Sequence, residues 1–135
     1  MTDFVLPVRV YLEDTDAQGV VYNASYFRFL ERARTEWLRA KGVEHNFLRA
    51  EHGVLLVLVG TRVRFRQPAA LDDELFVRAR LSSVTGARFV FEQDIRRGVP
   101  EGALVCDGTA EVACMDVSER KPRRVPAALL NELSL

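Results

Sequence analysis

Histidine is almost missing from this chain: His45 and His52 are the only two in 135 residues. A Ser-His-Asp hydrolase would have to bring one of them to a serine, and the serines are poorly placed. Ser25 falls inside the first turn of a predicted helix, and Ser82 and Ser83 fall at a strand end. The two histidines are seven residues apart, where helical metal chelation favours an i, i+4 pair. They are expected to be solvated or to face a partner, and no metal or other cofactor is expected. Cysteine is as scarce. Cys106 and Cys114 lie eight apart in one strand-like segment, roughly 26 Å when extended and beyond disulfide reach. Free core thiols in a reducing cytoplasm are the expectation. G-x-S-x-G, Walker and G-x-G-x-x-G patterns are all missing.

A surplus of either charge is missing too. Lys+Arg and Asp+Glu stand at 19 each, which argues against a nucleic-acid binder that lives on phosphate neutralisation. The apolar run containing Leu55–Val59 is far too short to span a bilayer, and Asp3, Pro7 and Arg9 interrupt any leader-like start. The expectation is one cytoplasmic domain over residues 1–135, without a membrane span or repeats.

What is present reads as one long helix and several long strands. Residues 7–13 alternate as a first strand. From Asn23 the period changes: Ala24, Tyr26, Phe27, Leu30, Ala33, Trp37 and Leu38 form an apolar stripe, with Asn23 as the predicted N-cap and Gly42 as the stop. A shorter helix is predicted over 44–52. Period-two patterns then mark strands over 57–67, 75–84, 87–97 and 103–117, with Leu104, Cys106, Ala110, Val112 and Cys114 on one face of the last. Residues 125–133 predict a short closing helix begun at Pro126. The fold class is therefore α+β, with one helix across a curved antiparallel sheet.

The densest chemistry stands just ahead of the long helix. Glu13, Asp14 and Asp16 crowd into four positions, and Gly19 follows. A helix start offers unpaired N–H groups and a partial positive charge. If Gly19 turns the chain back, the Asp16 carboxylate and the amides at Asn23 converge on one small volume. A general base or nucleophile facing preorganised N–H donors suits hydrolysis of an activated acyl group. Arg62, Arg64 and Arg66 alternate on one strand, joined in principle by Arg78, Arg80 and Arg88 on neighbouring strands. They read either as a solvated, charge-balanced sheet face or as a site for a phosphorylated ligand tail.

The stretch Glu13–Tyr26 followed by Glu31–Glu36 resembles the signature of hotdog-fold acyl-CoA thioesterases. The 4-hydroxybenzoyl-CoA thioesterase-like group, with its Tol–Pal-associated branch, is the nearest. Arg64–Ala69, Asp116-Val117 and Lys121–Pro126 are similar as well. The resemblance implies a hotdog fold, hydrolysis of an acyl-CoA or acyl-carrier-protein thioester, and no cofactor. It implies a homodimer or homotetramer with sites at the interface. It implies Asp16 as the catalytic carboxylate, as base or nucleophile, and backbone N–H groups at Asn23 and Tyr22 as the carbonyl-polarising donors. The Tol–Pal-associated branch usually carries histidine where this chain has Asn23; other branches have asparagine. Tyr26, Phe27 and Leu30 become acyl-pocket candidates, Arg62, Arg64 and Arg66 candidates for the CoA phosphates, and Glu31 a reserve carboxylate or the partner of Arg28 or Arg34. A hotdog hydratase and a non-catalytic acyl-binding protein are the other readings open at this point.

Overall fold

The computed structural model describes residues 3–135. Its elements are β1 (Phe4–Arg9), α1 (Asn23–Ala40), α2 (His45–Phe47) continued by a wider turn over Leu48–His52, β2 (Val54–Phe65), β3 (Glu74–Thr85), β4 (Arg88–Arg97), β5 (Ala103–Asp116) and α3 (Ala127–Glu132). The strands form one antiparallel sheet in the order β1-β3-β4-β5-β2. This is the α+β hotdog arrangement that the patterning and the resemblance predict, with α1 lying against β3, β1 and β4.

The helix-facing side of the sheet is apolar because alternate residues of each strand point the same way. Leu75, Val77, Ala79 and Leu81 of β3 and Phe89, Phe91 and Ile95 of β4 are buried against Phe29, Leu30, Ala33 and Trp37 of α1. Trp37 meets Phe91 edge to face at 5.3 Å. The stripe on α1 differs from the predicted one: Ala24 is exposed and Ser25 buried. Phe29 is fully buried, whereas Phe27 is 39% exposed. Each helical residue advances about 100°, so Tyr26, Phe29, Ala33 and Trp37 share a face from which Phe27 has already turned away.

Other boundaries moved for identifiable reasons. β1 spans Phe4–Arg9 rather than 7–13, because Leu12–Asp14 coils into a short turn closed by the Asp14 carboxylate, which accepts from Tyr11 N–H at 2.9 Å. Asn23 is the first residue of α1; the cap position belongs to Tyr22, which makes no side-chain capping bond. Gly42 stops α1 as predicted, at φ +80. In β5 the pairing with β4 jumps from Ile95↔Cys106 to Arg96↔Leu104, so Val105 bulges. Val105 and Cys106 are consequently both buried, while Leu104 is only partly so. β2 is an edge strand, and Val57, Leu58 and Val59 on it are 38, 46 and 49% exposed.

Candidate active site

Asp16 sits at the tip of a tight hairpin. Thr15 and Val21 form an antiparallel bridge, Asp16 N–H donates to Val20 C=O at 2.9 Å, and Gly19 N–H donates back to Asp16 C=O at 3.0 Å. Gly19 takes φ +81, the left-handed conformation that a tight return requires and that side chains disfavour. The side chain of Asp16 is exposed, and one oxygen, Oδ1, accepts from Gln18 N–H at 2.8 Å. The base of the hairpin runs straight into α1, which starts two residues after Val21.

That helix start carries fewer open donors than its sequence implies. Tyr22 N–H is given to Asp14 C=O at 2.9 Å, and Ser25 N–H to Tyr22 C=O at 2.8 Å. Asn23 and Ala24, the first two helical residues, have no intrahelical acceptor for their N–H groups. Their amides are the ones that a carbonyl oxygen can use. Tyr22 contributes an exposed ring, 58% accessible, in place of a donor.

The other predicted residues are distributed more widely. Tyr26 is 3% exposed, and its hydroxyl oxygen accepts from Ala69 N–H at 3.2 Å; burial pushes its phenol above the ordinary value. It is a core residue. Phe27 and Phe65 stand beside it, their rings 6.4 Å apart and both partly exposed. Glu31 lies eight residues beyond Asn23, about 12 Å along the helix axis. It forms no ion pair with Arg28 or Arg34 and lines a cavity of about 230 Å³ with Arg34, Thr35, His45, Leu56 and Phe91.

The six arginines do not make one stripe. β3 carries Arg78 and Arg80, and β4 and β5 separate it from β2. Arg66 is held by Asp107 at 2.9 Å, Arg78 lies 3.7 Å from Asp94, and Arg88 pairs with Glu111 at 2.9 Å. Arg62 and Arg64 have no salt-bridge partner among the described residues. The histidines diverge as well. His45 Nε2 is 3.3 Å from Thr35 Oγ1, and His52 Nε2 is 3.3 Å from Glu132 Oε2, with its ring against Phe47. Thr35 is twelve residues into α1 from Asn23, about 18 Å along the axis, so neither histidine is bonded near the Asp16 hairpin. Among the described residues no helix is long and apolar enough to cross a membrane.

A family model described as the thioesterase-like superfamily matches residues 10–133, nearly all of the chain and the whole of the arrangement just described. The chain belongs to that superfamily. Among its relatives is the acyl-CoA thioester hydrolase YbgC of Escherichia coli O6:H1, 43% identical over 131 residues that cover 97% of this chain and 96% of that protein. A solved structure described as a probable thioesterase, from Bartonella henselae, superposes with a TM-score of 0.85 at 35% identity, covering 93% of this chain and all of the other. A 4-hydroxybenzoyl CoA thioesterase structure has the same fold, with a TM-score of 0.87 at 22% identity over 97% of this chain and 98% of that one. The chain is thus an enzyme of thioester hydrolysis on a hotdog fold, as the Glu13–Tyr26 signature implies.

Proposed function

We propose that this thioesterase hydrolyses acyl-CoA, with Asp16 as the catalytic carboxylate and the N–H groups of Asn23 and Ala24 as donors to the thioester carbonyl. The observation that carries the reading is the Asp16 hairpin, closed by Gly19 and joined through Tyr22 alone to a helix start whose first two amides have no intrahelical acceptor. The carbonyl oxygen gathers negative charge as the tetrahedral intermediate forms, and fixed N–H donors at a helix start stabilise it. The carboxylate then does one of two things. As base, it takes a proton from water, the hydroxide adds to the carbonyl carbon, and the C–S bond breaks to leave thiol and acid. As nucleophile, it adds directly, expels the thiolate, and leaves a mixed anhydride that water opens. Label found in Asp16 after one turnover in ¹⁸O-water establishes the anhydride route with water opening it at the Asp16 carbonyl; label in the product acid alone is common to the base route and to an anhydride opened at the acyl carbon.

Arg62 and Arg64, exposed and without acidic partners, are the groups we assign to the phosphates of CoA or of a carrier protein's phosphopantetheine arm. The free, buried thiols of Cys106 and Cys114 support a reducing, cytoplasmic setting. An edge strand of twelve residues with three exposed aliphatic side chains supports pairing of β2 with a second copy, as a dimer or a pair of dimers. Sedimentation at micromolar concentration should give at least twice the chain mass of 15.3 kDa; a monomer contradicts the paired assembly. The functional test is a panel of acyl-CoAs read by thiol release. Release from at least one thioester is expected. Hydration of an enoyl-CoA without thiol release would favour the hydratase reading, and tight binding without turnover the acyl-binding one.

A further inference from the structure

Of the three acids ahead of α1, the one most completely withdrawn from water is Asp14, 4% exposed, while Asp16 two residues later is open. A buried carboxylate is unfavourable unless its oxygens are paired, and here both are. Oδ2 accepts from Tyr11 N–H at 2.9 Å, and Oδ1 lies 3.6 Å from the Arg28 guanidinium. The backbone of the same residue is equally committed. Its N–H donates to Tyr11 C=O at 3.0 Å, and its C=O accepts from Tyr22 N–H at 2.9 Å and from the Ser25 hydroxyl at 3.2 Å. Arg28 completes a ring by donating to Ser25 Oγ at 2.9 Å. Ser25 itself is 1% exposed.

One residue therefore ties Tyr11, two residues beyond the end of β1, to the first two turns of α1. The hairpin bearing Asp16 leaves this knot at Thr15 and comes back to it at Tyr22. Above the knot the hairpin is held by the Thr15–Val21 bridge, the Asp16 N–H to Val20 C=O bond and the turn at Gly19, and on its outer side by a Val20–Ala70 bridge and a Val21 N–H donated to Ala69 C=O at 2.8 Å. We propose that the Asp14–Ser25–Arg28 network is a positioning device that sets the Asp16 carboxylate against the helix-start amides. The inference rests on the Asp16 reading above. Asp14 is buried with both its oxygens engaged by protein groups, so it acts through the geometry of the hairpin neck. Arg28 is anchored by Asp14 and Ser25, which assigns it to the neck as well.

Displacing a reacting group by about 1 Å can cost on the order of 100-fold in rate. Asp14→Ala should therefore lower kcat by roughly 10- to 100-fold with KM within about two-fold, measured well below the melting temperature on protein shown by circular dichroism to be fully folded. Asp14→Asn keeps an acceptor for Tyr11 N–H and should recover part of that loss. Arg28→Ala, at a half-exposed side chain that the fold can spare, should lower kcat by about 3- to 10-fold. Combined with Asp14→Ala it should add little more, because both remove the same tie. If Asp14→Ala does not fold, Arg28→Ala and Ser25→Ala carry the test. Normal kcat in the folded single variants, with only thermal stability reduced, overturns the proposal and leaves a packing role. Raised KM at unchanged kcat for Arg28→Ala also overturns it, since that is the signature of a ligand-phosphate contact. Asp16→Asn, run in parallel, separates the two levels. If it is inactive while the neck variants are normal, only the positioning role fails; if it is active, the Asp16 reading fails and takes this one with it.

Discussion

Gly108 in β5 and Gly60 in β2 face the same strand pair, yet replacing them with alanine should have opposite effects. A Cβ on Gly108 collides with the carbonyl oxygen of Arg62 and comes within 2.9 Å of that carbonyl carbon and 3.0 Å of Val63 Cα. All three are backbone atoms of the strand partner, which cannot rotate aside as a side chain would. The alanine must push β2 away from β5 along the Arg62↔Thr109 and Val63↔Gly108 pairs. Overpacking of this kind costs about 1–3 kcal/mol, less about 0.4–1 kcal/mol from the stiffer unfolded chain, for a net loss near 1–2 kcal/mol. With an unfolding entropy of about 2.1 cal/mol/K per residue, a chain of this length loses roughly 3–4 °C per kcal/mol, so Gly108→Ala should melt about 4–7 °C lower. Gly60→Ala meets nothing within 4 Å and should be neutral or gain about 1–3 °C. Trp37, 2% exposed, reports unfolding by a red shift of its fluorescence, with both variants held at one protein concentration. A Gly108→Ala midpoint within 1 °C of the parent, or an equal fall in Gly60→Ala, would refute the close approach of these strands.

Three further outcomes are expected. Burial pushes the Cys106 thiol up to about 12 and raises that of Cys114 as well, so a thiol reagent at pH 8 should modify neither in the native protein and both after denaturation; rapid native labelling would contradict their burial. Burial also raises the Asp94 carboxyl, with Arg78 and Arg96 pulling it partly back. The folded state then binds that proton more tightly than the unfolded one, so this group's contribution falls as pH rises from the ordinary Asp value through the raised one, opposite to a salt-bridged acid. Asp94→Asn should remove that acid-side component from the stability–pH curve, and an unchanged curve would contradict it. Arg62→Ala with Arg64→Ala should raise KM for acyl-CoA with little change in kcat, whereas Arg66→Ala should do less because Asp107 already holds it; an unchanged KM returns all three to an ordinary charged sheet face.

Much of the fold was legible because burial on one side leaves a period in the residues. Leu75, Val77, Ala79 and Leu81 alternate without interruption, and β3 was readable from them alone. β5 was only partly legible because the bulge at Val105 inserts one residue and reverses the parity of everything before it. In β2 the register slip between Leu58 and Gly60, together with its position at the sheet edge, leaves Val57–Arg62 exposed on both sides, so its apolar pattern marks a surface. On α1 the nearness of three aromatics, Tyr26, Phe27 and Phe29, hid which of them face the core. At the candidate site, Gly19 and the helix start could be read from local rules. The division of labour among the acids could not. Asp14 and Asp16 are the same residue type two positions apart, and only long-range partners, Ser25 and Arg28, separate the buried one from the open one. The predicted Asn23 cap is likewise not found, since Asn23 is the first helical residue and the cap position falls on Tyr22.

The central claim is that the carboxylate at Asp16 does chemistry that no other group supplies. Asp16→Asn keeps the size and the acceptor toward Gln18 N–H while removing the charge that a base or nucleophile needs. Steady-state thiol release from the best acyl-CoA of the panel should show kcat down by about 10²–10⁴-fold, with folding and sedimentation unchanged. Turnover above a tenth of the parent value would contradict the account, and the search for the catalytic carboxylate would then move to Glu31 in the α1 cavity.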